Sequence, residues 1–88
     1  MKSYDRHSVY VDVKDDGSDV WEVIWANDGV IRIYRGDSQN NRILMQHLMT
    51  IDFELDDSIS SEHRISMFVD FAYELLEGLI FGNAPELP

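Results

Sequence analysis

Three histidines, His7, His47 and His63, are the side chains best suited to proton transfer or metal ligation near neutral pH. They fall in three separate segments with no HExxH or His-x-His spacing, so surface or boundary positions are expected of them. A calcium loop laid on the acidic turn from Asp12 has Asp16 at its fifth position and Gly17 at its sixth. Lys14 then falls where an oxygen ligand is needed and Val23 where the bidentate Glu belongs, which excludes calcium. No serine occupies a GxSxG elbow, and the five glycines are spread among turns and helix ends rather than gathered into a phosphate-cradling loop. The absence of cysteine removes disulfides and thiolate metal sites together. Arg35-Gly36-Asp37 matches an adhesion tripeptide and is expected in a turn after a strand. Carboxylates suited to paired acid and base work are plentiful, but they sit in patterns that predict solvated faces, where pKa values are not pushed apart. No enzymatic activity, cofactor or metal is expected.

The arrangement of the acids is more informative. Residues 43–88 contain nine acidic side chains and one base, Arg64, and so carry −8 of the chain's −10. Soluble domains normally intersperse the two signs. Asp52, Glu54 and Asp56 alternate in a segment with strand periodicity, which would space neighbouring carboxylates by about 6.6 Å on one face, with Asp57 adjoining. Asp70, Glu74 and Glu77 form a second row at helical spacing, with about 6 and 4.5 Å of rise between them. Regular negative charge on a rigid frame can imitate a nucleic-acid backbone, whose strands carry a phosphate about every 3.4 Å of rise. The same charge argues against nucleic acid or anionic lipid as direct ligands, because both are bound through Lys and Arg clusters.

Eighty-eight residues, 44% of them apolar, are expected to form a single folded domain over 1–88, with a core at 8–81 and frayed ends at 1–6 and 83–88. The first residues, MKSYDRHSVYV, contain no apolar run of signal-peptide length, and no window approaches the roughly 18 apolar residues of a membrane span. A cytoplasmic location is the expectation.

The elements that must position these side chains follow from periodicity. Residues 8–14, 20–26 and 30–35 alternate as three strands. A three-residue loop ending at Gly29 keeps opposed residues on one face, pairing Trp25 with Ile31 and Val23 with Ile33. The same test on the first hairpin favours Asp16-Gly17-Ser18 as the loop, pairing Val13 with Trp21 and Val11 with Val23. Residues 39–48 fit either a short helix or the start of a long strand carrying Ile43, Met45, His47 and Met49 on one face; the short helix is preferred. Residues 49–55 alternate as a fourth strand, with Met49, Ile51, Phe53 and Leu55 inward. Ser60 is the best N-cap for an amphipathic helix that runs to Phe81 and stops at Gly82 and Asn83.

The expected architecture is α+β: a three-stranded antiparallel meander, a short helix, a fourth strand, and a C-terminal amphipathic helix packed on the sheet. Met67 and Phe71 widen the helix's apolar arc to roughly 220°, which marks them as a candidate dimer or secondary interface. Tyr10, Ile24, Arg32 and Tyr34 form a second candidate patch on the outer face of the sheet. The partner-binding residues expected from charge are Asp52, Glu54, Asp56, Asp57, Asp70, Glu74 and Glu77, and the expected partner is a basic protein with a nucleic-acid-binding groove. In acidity and size the chain resembles the class of small inhibitors that includes phage antirestriction and anti-CRISPR proteins and nuclease immunity proteins. The alternative is a small structural or regulatory homodimer whose acidity confers solubility.

Overall fold

β-branched and aromatic residues are concentrated in the first three strands, β1 (His7–Asp12), β2 (Val20–Trp25) and β3 (Val30–Asp37), and a Leu- and Met-rich fourth, β4 (Leu44–Asp52), follows. The helix α1 (Ser61–Phe81) follows. This computed structural model describes residues 6–26, 29–38 and 44–82. Residues 1–54 and 55–88 form two compact units, the first carrying the strands and the second the helix.

The strands pair antiparallel in the order β1-β2-β3-β4. The protein is therefore α+β, with a continuous four-stranded meander in place of the expected three-stranded meander, short helix and fourth strand. One face gathers Val9, Val11, Trp21, Val23, Trp25, Ile31 and Ile33, as shown by the pairs Val9↔Val23, Val11↔Trp21, Val23↔Ile33 and Trp25↔Ile31. Val23, Ile31 and Ile33 are fully buried there. The second hairpin has the expected register, and Gly29 adopts the left-handed conformation (φ 76°) that closes it, its N–H donating to the Ala26 carbonyl at 3.2 Å. Asn27 and Asp28 of that loop lie outside the described residues.

The first hairpin departs from expectation by two residues. Val11, not Val13, opposes Trp21, and β1 stops at Asp12. A longer loop replaces Asp16-Gly17-Ser18 because its own side chains close it. The Gly17 N–H donates to Asp12 Oδ2 at 3.0 Å, the Ser18 N–H donates to Asp16 Oδ1 at 2.8 Å, and the Val13 N–H donates to the Asp19 carbonyl at 3.0 Å. An even shift leaves each side chain on the face foreseen for it.

The short helix expected at 39–48 is overturned over 44–48, which belong to β4; residues 39–43 lie outside the described residues. The cause is a β-bulge. Ile33 opposes Met49 while the next residue, Tyr34, opposes His47, so Leu48 is the extra residue. The bulge inverts the alternation, and apolar residues at 44, 45, 48 and 49 then imitate helical spacing. β3 extends to Asp37, so Arg35-Gly36-Asp37 lies in a strand rather than a turn.

β4 ends at Asp52 rather than Leu55. Phe53 still donates its N–H to the Gly29 carbonyl at 2.7 Å and sets its ring edge-on to Trp25, with centroids 5.3 Å apart. The alternation of half-buried Met49, Ile51, Phe53 and Leu55 with exposed Thr50, Asp52 and Glu54 persists past the strand end.

In the second unit, the Ser60 side chain accepts from the His63 N–H at 3.3 Å, Glu62 complements the first turn, and Gly82 (φ 74°) ends the helix. Phe68, Ala72 and Leu76 are buried along one face, and Gly78 is buried as well. No described helix is long and apolar enough to cross a membrane.

Candidate functional site

Helical periodicity places Asp70, Glu74 and Glu77 on one exposed face of α1. At 100° per residue they fall within about 60° of arc. None of the three makes a hydrogen bond or ion pair with another described residue. The residues flanking the row on the same face include His63, Ser66, Met67, Tyr73 and Phe81, and Phe81 is 71% exposed. Phe71, expected to share an interface with Met67, is half-buried, while Met67 is 36% exposed. Sequence reasoning assigned no role to Phe81, although its place one helical turn beyond Glu77 could have suggested one. The base of this unit, Arg64, lies 3.8 Å from the almost fully exposed carboxylate of Asp57 and donates to the Ser61 hydroxyl.

The second acidic row differs from its expected geometry. Asp52 closes β4 opposite Val30, but Glu54 and Asp56 lie beyond the strand. No strand face therefore spaces all three carboxylates. Glu54 folds over the turn, where its Cγ would lie 2.6 Å from a Cβ added at Gly29. Asp56 turns inward on its own loop, accepting from the Ser58 N–H at 2.9 Å, and the backbone and hydroxyl bonds of Ser58 hold its pKa below the usual 3.8. Asp52 and Glu54 lie in the first unit, and Asp56, Asp57, Asp70, Glu74 and Glu77 in the second.

The register assembles Tyr10, Ile24, Arg32 and Tyr34 on the outer face of the sheet. Across the strands run the rows Tyr10, Glu22, Tyr34, His47 and Ser8, Ile24, Arg32, Thr50. Tyr10 is 53% exposed, whereas Ile24 is buried. His47 joins this face through the bulge; its ring lies 5.4 Å from that of Tyr34, and its Nε2 is 2.9 Å from Thr50 Oγ1. Sequence reasoning missed His47 here because unbroken alternation puts it with Met49.

A further cluster escaped the sequence reading. Arg35 grips Asp19 with two bonds, Nε to Oδ1 at 2.8 Å and Nη2 to Oδ2 at 3.0 Å, and its guanidinium lies 4.8 Å from the centre of the Trp21 ring. The bond from Arg35 lowers the Asp19 pKa, and Asp19 raises that of Arg35. Trp21 adds a smaller push to Asp19, though its buried Nε1 closes no hydrogen bond of good geometry. Lys14, Ser18, Gln46 and Leu48 border a shallow groove beside this pair. With both carboxylate oxygens engaged, Asp19 serves as a fastener between the first loop and β3 rather than as a reactive group.

No group of three or more His, Asp or Glu side chains among the described residues is placed to hold a metal ion. No protein-family model matches the chain, and neither the curated proteins nor the solved structures provide a match.

Proposed function

We propose that this is a non-enzymatic acidic protein that binds a nucleic-acid-binding protein or nuclease and inhibits it by occupying its cationic groove, acting in the cytoplasm. The observation that carries this reading is the exposed row of Asp70, Glu74 and Glu77, which no base among the described residues compensates. Like charges one helical turn apart destabilise a helix by about 0.2–0.5 kcal/mol per pair, so such a row is better suited to a cationic partner than to the isolated chain. Successive carboxylates rise by about 6 and 4.5 Å along the axis, a spacing that lets Lys and Arg side chains arranged for phosphates meet them. Met67 and Phe81 on the same face add apolar contact of the kind found at interface cores. Asp52 and Glu54 of the first unit are also exposed and uncompensated among the described residues. The proposed activity is of the same class as that of antirestriction, anti-CRISPR and immunity proteins.

The test is retention of bacterial lysate proteins on the immobilised chain at low and then moderate salt, with an Asp70→Lys, Glu74→Lys, Glu77→Lys triple variant alongside. The parent should retain a basic nucleic-acid-binding protein, release it as salt rises, and lose it to competing duplex DNA or guide RNA. A retained partner that ignores both the competitor and the triple variant would refute the groove mimic. Retention of nothing would favour the homodimer whose acidity confers solubility.

A further inference from the structure

The two edges of the sheet are not equivalent. β1 and β4 both end in an aspartate, but β4 alone carries a bulge, at Leu48, and that feature discourages strand addition. Among the described residues β1 is the opposite edge, pairing with β2 alone, and its sequence, HSVYVD, contains no Pro and no Lys; its pairing with β2 shows no bulge. Along a strand, alternate residues aim their N–H and C=O groups away from the paired neighbour, so the outer side of β1 presents backbone groups that no strand among the described residues pairs. Such an edge accepts another strand, and the charges along it indicate which one.

We infer that β1 pairs antiparallel with β1 of a second copy, joining two meanders into one eight-stranded sheet. Opposed residues must share a face, which limits a two-fold arrangement to registers centred on a residue. Centring on Val9 sets Ser8 opposite the partner copy's Tyr10 and His7 opposite its Val11, and brings Arg6 opposite its Asp12 twice over, once on each side of the dyad. Arg6 is exposed and Asp12 half-buried in the single chain. Centring on Tyr10 would instead set Arg6 against Lys14 and repel. Charge thus favours the Val9 register over the Tyr10 one. The match also uses the part of this acidic chain where copies repel least, since Arg6 and Asp12 balance along β1 while residues 55–88 carry seven acids and one base. Val9 meets its own counterpart across the dyad, and the half-exposed ring of Tyr10 gains cover from Ser8.

Seven paired residues in each strand make a small interface, so the association is weak, with dissociation constants expected below about 1 mM rather than in the nanomolar range. Sedimentation equilibrium of the full chain over a concentration series should show monomer and dimer. Arg6→Glu turns both attractive pairs into repulsive ones and should weaken the dimer by about tenfold or more. Lys14→Glu makes the same change in net charge outside the paired strands and should leave association within about twofold. Circular dichroism of both variants should match the parent.

A second arm reads the register directly. Ser8→Cys and Tyr10→Cys chains mixed under mild oxidation should form the mixed disulfide in preference to either symmetric one. In the Val9 register the opposed Cα atoms lie about 4.5–5.5 Å apart, whereas two Ser8 or two Tyr10 positions lie about 8 Å apart, beyond disulfide reach. A chain that stays monomeric at millimolar concentration, equal weakening by Arg6→Glu and Lys14→Glu, or symmetric crosslinks as abundant as mixed ones would each overturn the proposal.

Discussion

Glu74→Lys should make the protein more stable while removing its capacity to bind a basic partner. Glu74 sits four residues after Asp70 and three before Glu77 on the exposed face of α1, so it takes part in two like-charge contacts. Each costs about 0.2–0.5 kcal/mol on a helix surface. Glu74→Gln removes both and should add roughly 0.4–1 kcal/mol of stability. Glu74→Lys makes both contacts attractive; the Asp70 contact has the favourable order, acid before base, and the Glu77 contact the weaker one, so the gain should reach about 1–1.5 kcal/mol. Glu, Gln and Lys have nearly equal helix propensity, which leaves charge as the variable. For a chain of this size the lysine variant should melt roughly 5–10 °C above the parent. Thermal melts at 20 mM and 1 M salt provide the assay, and the gain should shrink at the higher salt as screening shortens to about 3 Å. A lysine variant that melts at or below the parent, or a gain undiminished by 1 M salt, would refute the reasoning.

Other outcomes follow from particular atoms. Gly29→Ala should destabilise by about 1–2 kcal/mol in urea unfolding, because φ 76° is costly for a residue with a Cβ, while the close Glu54 Cγ belongs to an exposed side chain that can swing away; Glu54→Ala should therefore rescue little of the loss, and a full rescue would show a steric cause instead. The lowered carboxyl pKa values of Asp16, Asp19 and Asp56 mean that their stabilising contribution is complete above their usual 3.8 and is lost as pH falls through the folded-state values. Urea unfolding between pH 6 and 2 should show that loss, and Asp19→Asn should flatten part of it; an unchanged acid slope in the variant would remove the Arg35 pair from the account.

The amphipathic helix and the second hairpin were legible because local chemistry decides them. Ser60 offers an N-cap, Gly82 an αL stop, and Gly29 the positive φ that sets Trp25 against Ile31. The first hairpin register was not legible, since it depends on Asp12 and Asp16 folding back onto Gly17 and Ser18, contacts that periodicity does not encode. The Asp19 to Arg35 fastener was hidden for a related reason, as it joins residues sixteen positions apart whose proximity depends on that loop. Of the candidate site, the helix row followed directly from spacing. The strand row did not, because Asp52, Glu54 and Asp56 alternate in sequence while the ladder that would space them ends at Asp52.

The bulge at Leu48 connects these points. Simple alternation would put Met45, His47 and Met49 on one face; with the bulge, Met49 and Ile51 sit opposite Ile33 and Ile31, while His47 sits opposite Tyr34 on the other face. One inserted residue thus keeps a histidine off the apolar face and makes β4 the poorer of the two edges for strand addition. Strand pairing between copies is then directed to β1, where Arg6 and Asp12 nearly cancel. The unit built by residues 55–88 holds −6 of the chain's −10 on its own, from seven acids and Arg64. A dimer joined through β1 would carry two copies of the Asp70, Glu74 and Glu77 row without spending any of those carboxylates on the pairing itself. The proposed self-association and the proposed capture of a basic partner therefore draw on different residues, and Arg6→Glu should weaken the first while leaving the intrinsic affinity of each helix row for the second unchanged.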